Sequence, residues 1–142
     1  MTDDAPEQLQ IGPYRVERLL ALGGTSAVFR AHHALGGQAV AIKRLSLHRQ
    51  DRLARTFRRE VGAALQIRHP SALALLDAGW APPTAPAGWA GHPWLATELA
   101  TGSLADRVGT LPWEIVRGVL VDLLSVLAHA HARGLVHRDI KP

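Results

Sequence analysis

Glu60 is the residue that most constrains how this chain can fold. Over residues 49–68 apolar side chains recur at helical spacing, at Leu53, Phe57, Val61, Ala64 and Leu65. His69-Pro70 ends the run because proline cannot continue a helix. Glu60 stands three residues after Phe57 and four before Ala64, so its carboxylate lies on the same side of the helix as the apolar stripe. A charge in that position is costly unless a cation meets it. The adjacent Arg58 and Arg59 leave one simple reading open, a solvated charged patch. A second charge poses the same question. Lys43 ends the run Val40-Ala41-Ile42-Lys43, where either its apolar neighbours hold the ammonium away from bulk water or its stem covers a sheet edge while its head reaches solvent.

Ahead of that helix the hydrophobic period is two. Residues 14–19 alternate apolar and polar side chains as a half-buried strand does, until Gly23 and Gly24 interrupt them. Residues 28–31 and 39–45 predict two more strands joined through Leu35-Gly36-Gly37-Gln38, with both glycines supplying the positive φ of a tight turn. After the helix, residues 73–80 and 94–98 predict a fourth and a fifth strand, separated by the aperiodic, breaker-rich stretch 82–88. A last helix is expected from the first-turn proline Pro112 to Gly134, with Val116, Val119, Leu120, Leu123 and Leu127 on one face. The order predicts an α+β fold, a five-stranded antiparallel sheet with one packed helix followed by a helical segment.

Composition excludes several classes. The 142 residues, 47% of them hydrophobic, support one modest core. With no cysteine there is neither a disulfide framework nor a thiolate metal site, and a reducing, cytoplasmic compartment is expected. Residues 1–10 are polar and acidic without an apolar signal core. The longest apolar stretch, residues 115–130, carries Arg117 and Asp122 and is too short to span a bilayer, so no membrane segment is expected. The net charge is +4, and the arginines are scattered without forming a run, which argues for a solvated surface and against a nucleic-acid partner. His129 and His131 point about 200° apart on a helix and are poor joint ligands for one ion, and His137 does not complete a cluster, so no metal site is expected.

Chemistry concentrates at the end of the chain, in His137-Arg138-Asp139-Ile140-Lys141-Pro142. In a phosphotransferase site an Asp beside the acceptor hydroxyl takes its proton while a nearby Lys balances charge on the transferred group. The order H-R-D-x-K-P, together with V-A-I-K and the intervening spacing, resembles the eukaryotic-type serine/threonine protein kinases over about residues 14–142. The resemblance implies a flexible tail over residues 1–12, a small lobe over 13–98, and a hinge with the start of a truncated large lobe over 99–142. It further implies ATP and Mg²⁺ as cofactors, with the Asn and D-F-G metal ligands falling beyond Pro142, and a protein Ser or Thr as acceptor, since Lys two residues after the Asp is the serine/threonine pattern.

Residue by residue, the resemblance makes Asp139 the base and Lys141 its catalytic partner, with Lys43 on the α- and β-phosphates and Glu60 as the anchor of Lys43. Loss of one partner of that pair is expected to cost on the order of 3–5 kcal/mol through partial burial. The glycine-rich loop spans Ala21, Leu22, Gly23, Gly24, Thr25, Ser26 and Val28, and departs from the family pattern because Ala21 and Ser26 replace its first and third glycines. Ala41 and Val28 belong to the nucleotide site, Thr97 takes the gatekeeper place, and Glu98 to Ala100 form the hinge. His137 is implied to be a packing residue, and Arg138 a contact of a phosphorylated activation loop.

Two functions follow from this pattern. One is transfer of the ATP γ-phosphoryl group to protein hydroxyls, with negligible turnover expected of residues 1–142 alone because the metal ligands fall outside them. The other is a pseudokinase-like nucleotide-binding or scaffolding module, favoured by the altered glycine loop and opposed by intact Lys43, Glu60 and Asp139. The face of Val116, Val119, Leu123 and Leu127 is expected to lie exposed and to favour association, while the oligomeric state is left open.

Overall fold

The computed structural model of the chain describes residues 9–46, 50–138 and 140. Its centre is an antiparallel sheet of six strands, β1 (Gln10–Ile11), β2 (Tyr14–Leu22), β3 (Ser26–His33), β4 (Ala39–Leu45), β5 (Leu75–Trp80) and β6 (Pro93–Glu98), in the spatial order β1-β2-β3-β4-β6-β5. Helix α1 (Gln50–Gln66) lies between β4 and β5, and α2 (Trp113–His131) follows the sheet after a single 3-10 turn at Leu104–Arg107. Ser103 opens that turn with a capping box, its side chain accepting from Ala105 N while Asp106 accepts from Ser103 N.

One strand more is present than the five expected. Gln10–Ile11, placed in the flexible tail by its polar surroundings, turns at Gly12 (φ 56°) and pairs with Tyr14 and Arg15. A two-residue strand is too short to show a period, yet Ile11 is fully buried. A second correction concerns the β3–β4 hairpin, where Gly37 alone takes positive φ, at 66°. The third is small: Pro112 is the N-cap of α2 and not its first helical residue, and its carbonyl accepts from Ile115 N and Val116 N.

Strand β4 divides two cores. Directly paired residues share a face of an antiparallel sheet, so the ladder sorts the side chains. On one face Leu45 and Leu95 are buried against Leu53 of α1, with Phe57, Val61, Leu75 and Ala78 packed around them. On the other face Ile11, Tyr14, Ala31, Val40, Ile42, Trp94 and Ala96 form a second cluster, roofed by the connection between β5 and β6, which contributes Ala81 and Trp89. Hydrogen bonds from Ala81 N to His92 O and from Gly91 N to Ala81 O close the base of that connection. Arg44 fastens its tip: the guanidinium lies 5.5 Å from the Phe29 ring and 5.4 Å from the Trp89 ring, and donates to Gly88 O. Burial pushes the Arg44 guanidinium below its usual value.

Helix α2 joins the rest of the molecule through the segment after α1. His69 Nε2 lies 2.9 Å from Ser125 Oγ, the His69 and His129 rings meet at 5.5 Å, and Val119, Leu123 and Val126 border Pro70 and Ser71. The face expected to lie open is therefore partly covered: Val116, Val119, Leu123 and Leu127 are half-buried. The exposed apolar side chains of the helix are instead Trp113, Ile115, Leu120, Val121 and Leu124. Helical spacing identifies apolar residues but cannot choose between two apolar faces, and α2 has two.

Gly79 and Trp94 yield a test of the second core. A Cβ at Gly79 would stand 2.8 Å from Trp94 Cζ2, and the indole is buried, so it has nowhere to withdraw. Gly79→Ala is expected to destabilise the chain by about 1–3 kcal/mol in urea unfolding. Gly118→Ala on α2, where the added carbon meets nothing within 4 Å, is expected to stabilise it by up to about 1 kcal/mol.

Candidate functional site

The face of the sheet that receives α1 also collects most of the side chains singled out from the sequence. Ala21 pairs with Val28, Val28 with Lys43, and Ala41 with Thr97, so all five lie on one side of β2, β3, β4 and β6. Val28, Ala41, Lys43 and Thr97 are half-buried, and Ala21 is exposed. Together they form a shallow floor of small and apolar groups with one ammonium at its α1 end.

That ammonium is met by the carboxylate of Glu60, with Lys43 Nζ donating to Glu60 Oε2 at 2.8 Å. Two local reasons bring them together. The alternation of β4 aims Lys43 to the same side as Ala41 and Leu45, while Leu53 and Phe57, two turns and one turn before Glu60, dock α1 on Leu45 and Leu95. The pair is more open than expected, since the Lys43 side chain keeps 39% and the Glu60 side chain 29% of its free exposure. At that exposure water screens the attraction, and the contribution to stability falls to about 0–1 kcal/mol in place of the 3–5 anticipated from deeper burial.

The β2–β3 turn lies at the Leu45 end of the sheet. Gly23 N donates to Ser26 O at 2.8 Å, and Ser46 N to Thr25 O at 2.9 Å, so the turn is tied to its own base and to the end of β4. Neither Gly23 nor Gly24 takes positive φ, and a Cβ at Gly24 would meet nothing within 4 Å. The chain's own conformation therefore does not demand glycine here; Leu22, Gly23, Gly24 and Thr25 are exposed. At the opposite end Glu98 is held in place twice: Glu98 N donates to Ala74 O at 3.1 Å, and its carboxylate accepts from Ala74 N at 2.9 Å. Thr97 Oγ1 donates to Glu98 O at 3.1 Å, and Ala100 follows in irregular, exposed backbone.

Asp139 and Lys141 lie outside the described residues. The residue before them is described, and Arg138 has φ 63°, a left-handed conformation that bulky side chains rarely adopt. Among the described residues no group of three or more His, Cys, Asp or Glu could hold a metal ion.

One cluster on the same face was not anticipated. Arg30 pairs with Ala41 and so shares its side of the sheet, where Arg30 Nε donates to Glu17 Oε2 at 2.7 Å and His32 Nδ1 lies 2.9 Å from Glu17 Oε1. These contacts, His32 foremost, hold the Glu17 carboxyl below the usual carboxylate range. The two-residue step from Val28 to Arg30 to His32 was a signal for it. A groove of about 370 Å³ lined by Ala64, Leu65, Arg68, His69 and Leu75, at the C-terminal end of α1, contains none of the residues named for the site. The open sheet face carries the charge pair and the paired small residues.

Comparison with known proteins identifies the family. A protein kinase domain model matches residues 14–142. The serine/threonine-protein kinase pkn3 of Myxococcus xanthus is 33% identical over 135 residues, which cover 91% of this chain and 23% of that protein. The DNA damage-responsive serine/threonine-protein kinase RqkA of Deinococcus radiodurans is 33% identical over 144 residues, covering 96% of this chain and 20% of that protein. Among solved structures, the M. tuberculosis PknI kinase domain superposes with a TM-score of 0.72 at 28% identity, over 97% of this chain and 55% of that one. The chain thus spans about a fifth of the length of these curated relatives. No described helix is long and apolar enough to cross a membrane. With its sheet, its paired Lys43 and Glu60 and its matched residues 14–142, the chain belongs to the protein kinase domain family.

Proposed function

We propose that the protein containing this chain transfers the γ-phosphoryl group of ATP to Ser or Thr hydroxyls of other proteins, in a reducing, cytoplasmic setting. The observation that carries the reading is the Lys43–Glu60 ion pair, placed on the same sheet face as Ala21, Val28, Ala41 and Thr97. A nucleotide has an apolar flat base and a polyanionic tail, and this face has a small-residue floor with a cation at one end. Lys43 binds α- and β-phosphate oxygens, and Glu60 keeps the ammonium from swinging away. The exposed turn covers the phosphates with the backbone N–H groups of Gly24 and Thr25, since Gly23 N is bonded to Ser26 O, and the open space around Gly24 leaves room for that approach. Backbone groups of Glu98 to Ala100 hydrogen-bond the base, and Thr97 borders it.

Asp139 accepts the proton of the substrate hydroxyl, and Lys141 balances charge on the transferred group. Supporting that placement is the left-handed Arg138 immediately before, since backbone strain of about 1–3 kcal/mol persists where surrounding structure over-determines it and clusters at active sites. Mg²⁺ would supply charge neutralisation of the triphosphate when bound.

Two outcomes test the reading. In the chain itself Lys43→Ala is expected to weaken Mg-ATP binding at least ten-fold by isothermal titration, whereas Glu60→Gln lowers it several-fold while changing urea-unfolding stability by only about 0–1 kcal/mol. Equal affinity in parent and Lys43→Ala would remove the nucleotide from this face. In the whole protein Asp139→Asn is expected to lower kcat for a Ser/Thr substrate by about 10²–10⁴-fold with the KM for ATP unchanged. A matching rise in that KM would make Asp139 a binding residue and not the base.

A further inference from the structure

Fourteen of the sixteen cationic side chains in the sequence are arginines, and folding α1 gathers several of them. Arg52, Arg55 and Arg59 stand at spacings of three and four residues, which places them within about 60° of one another around the helix and about 10 Å apart from first to last. Leu53 and Phe57 mark the opposite, packed side. All three arginines are exposed, and Arg58 extends the stripe on one flank.

No carboxylate on this helix answers them. Asp51, the first-turn acid four residues before Arg55, forms no ion pair with it and contributes its backbone carbonyl, 3.4 Å from Arg55 Nε, while Glu60 is committed to Lys43. On the strands that α1 packs against, Asp77 accepts from Ala78 N and Glu98 from Ala74 N, so neither faces the stripe. The arrangement works against the helix that carries it. Arg52 sits in the first turn, beside the positive end of the helix dipole, and the spacings of three and four bring like charges together. A helix built only for solubility would interleave carboxylates at those positions.

We infer that the exposed Arg52–Arg55–Arg59 stripe of α1 is a docking surface for a carboxylate-rich segment of a partner polypeptide. Guanidinium groups stay charged at any physiological pH and grip carboxylates through two parallel N–H bonds. Three of them in line match an extended acidic segment, and an anion along the stripe also satisfies the N-terminal end of the dipole.

The test uses the chain and a fluorescein-labelled peptide of ten glutamates, with a ten-glutamine peptide as control, followed by anisotropy at low and at physiological salt. The parent is expected to bind the glutamate peptide alone, with affinity falling as salt rises. R52E/R55E/R59E is expected to weaken binding at least ten-fold and to keep the parent's far-UV circular dichroism, since the three side chains are exposed. The lysine triple R52K/R55K/R59K loses about three-fold, because an ammonium cannot make the paired bonds. R68E/R107E/R117E, an equal change of charge at exposed sites elsewhere, stays within two-fold of the parent. An equal loss in this last variant reduces the effect to net charge and overturns the proposal. So does tighter binding of a DNA duplex or of phosphatidylserine vesicles that the stripe variant abolishes, which would assign the surface to a different class of partner.

Discussion

Everything in this fold turns on strand β4 having two different faces. Val40 and Ile42 are buried on one side with Trp94 and Ala96, while Ala41, Lys43 and Leu45 look to the other, where α1 packs. A slip of one residue in its register would bury Lys43 among aromatic rings and hand Val40 and Ile42 to solvent, so the apolar core fixes the position of the cation. Neighbours on both sides hold that register, β3 through seven paired positions and β6 through five.

The ion pair itself contributes little to stability and much to orientation. A half-exposed Lys–Glu contact is worth about 0–1 kcal/mol, whereas the two leucine-centred contacts that seat α1 bury apolar surface worth roughly 1.5–3 kcal/mol per side chain. The helix is therefore held by Leu53 and Phe57, and Glu60 is carried to Lys43 by them. The exposed arginines and the carboxylate of the charge pair thus share one helix, seated by its apolar face.

The second core has a separate logic. The connection between β5 and β6 has no periodicity and many breakers, and it reads as an ordinary surface loop. Yet Trp89 and Ala81 are buried, because the Trp89 ring packs on Phe29 with centroids 5.0 Å apart, and Arg44 lies against both rings while donating to Gly88 O at the loop tip. A tryptophan in a glycine- and proline-rich stretch was the available sign. What it packs against, the Phe29 ring and the Arg44 cation, stands far away in sequence, and no local pattern encodes that.

Local periodicity and motif by themselves determined the type and order of the long elements, the alternation that puts Ala41 and Lys43 on one side of β4, and the residue set of a kinase. These are short-range properties, since a period of two or of 3.6 says which side chains of one segment share a face. Only the tertiary structure decided what stands opposite each face: that Glu60 meets Lys43 in half-open water, that Gln10–Ile11 adds a sixth strand, that His69 and Pro70 cover one side of α2 and leave Leu120, Val121 and Leu124 exposed, and that Arg52, Arg55 and Arg59 line up unanswered. The reason is physical. Pairing register and the path of the connections set the distances between segments, and those follow from how all the apolar faces are buried at once.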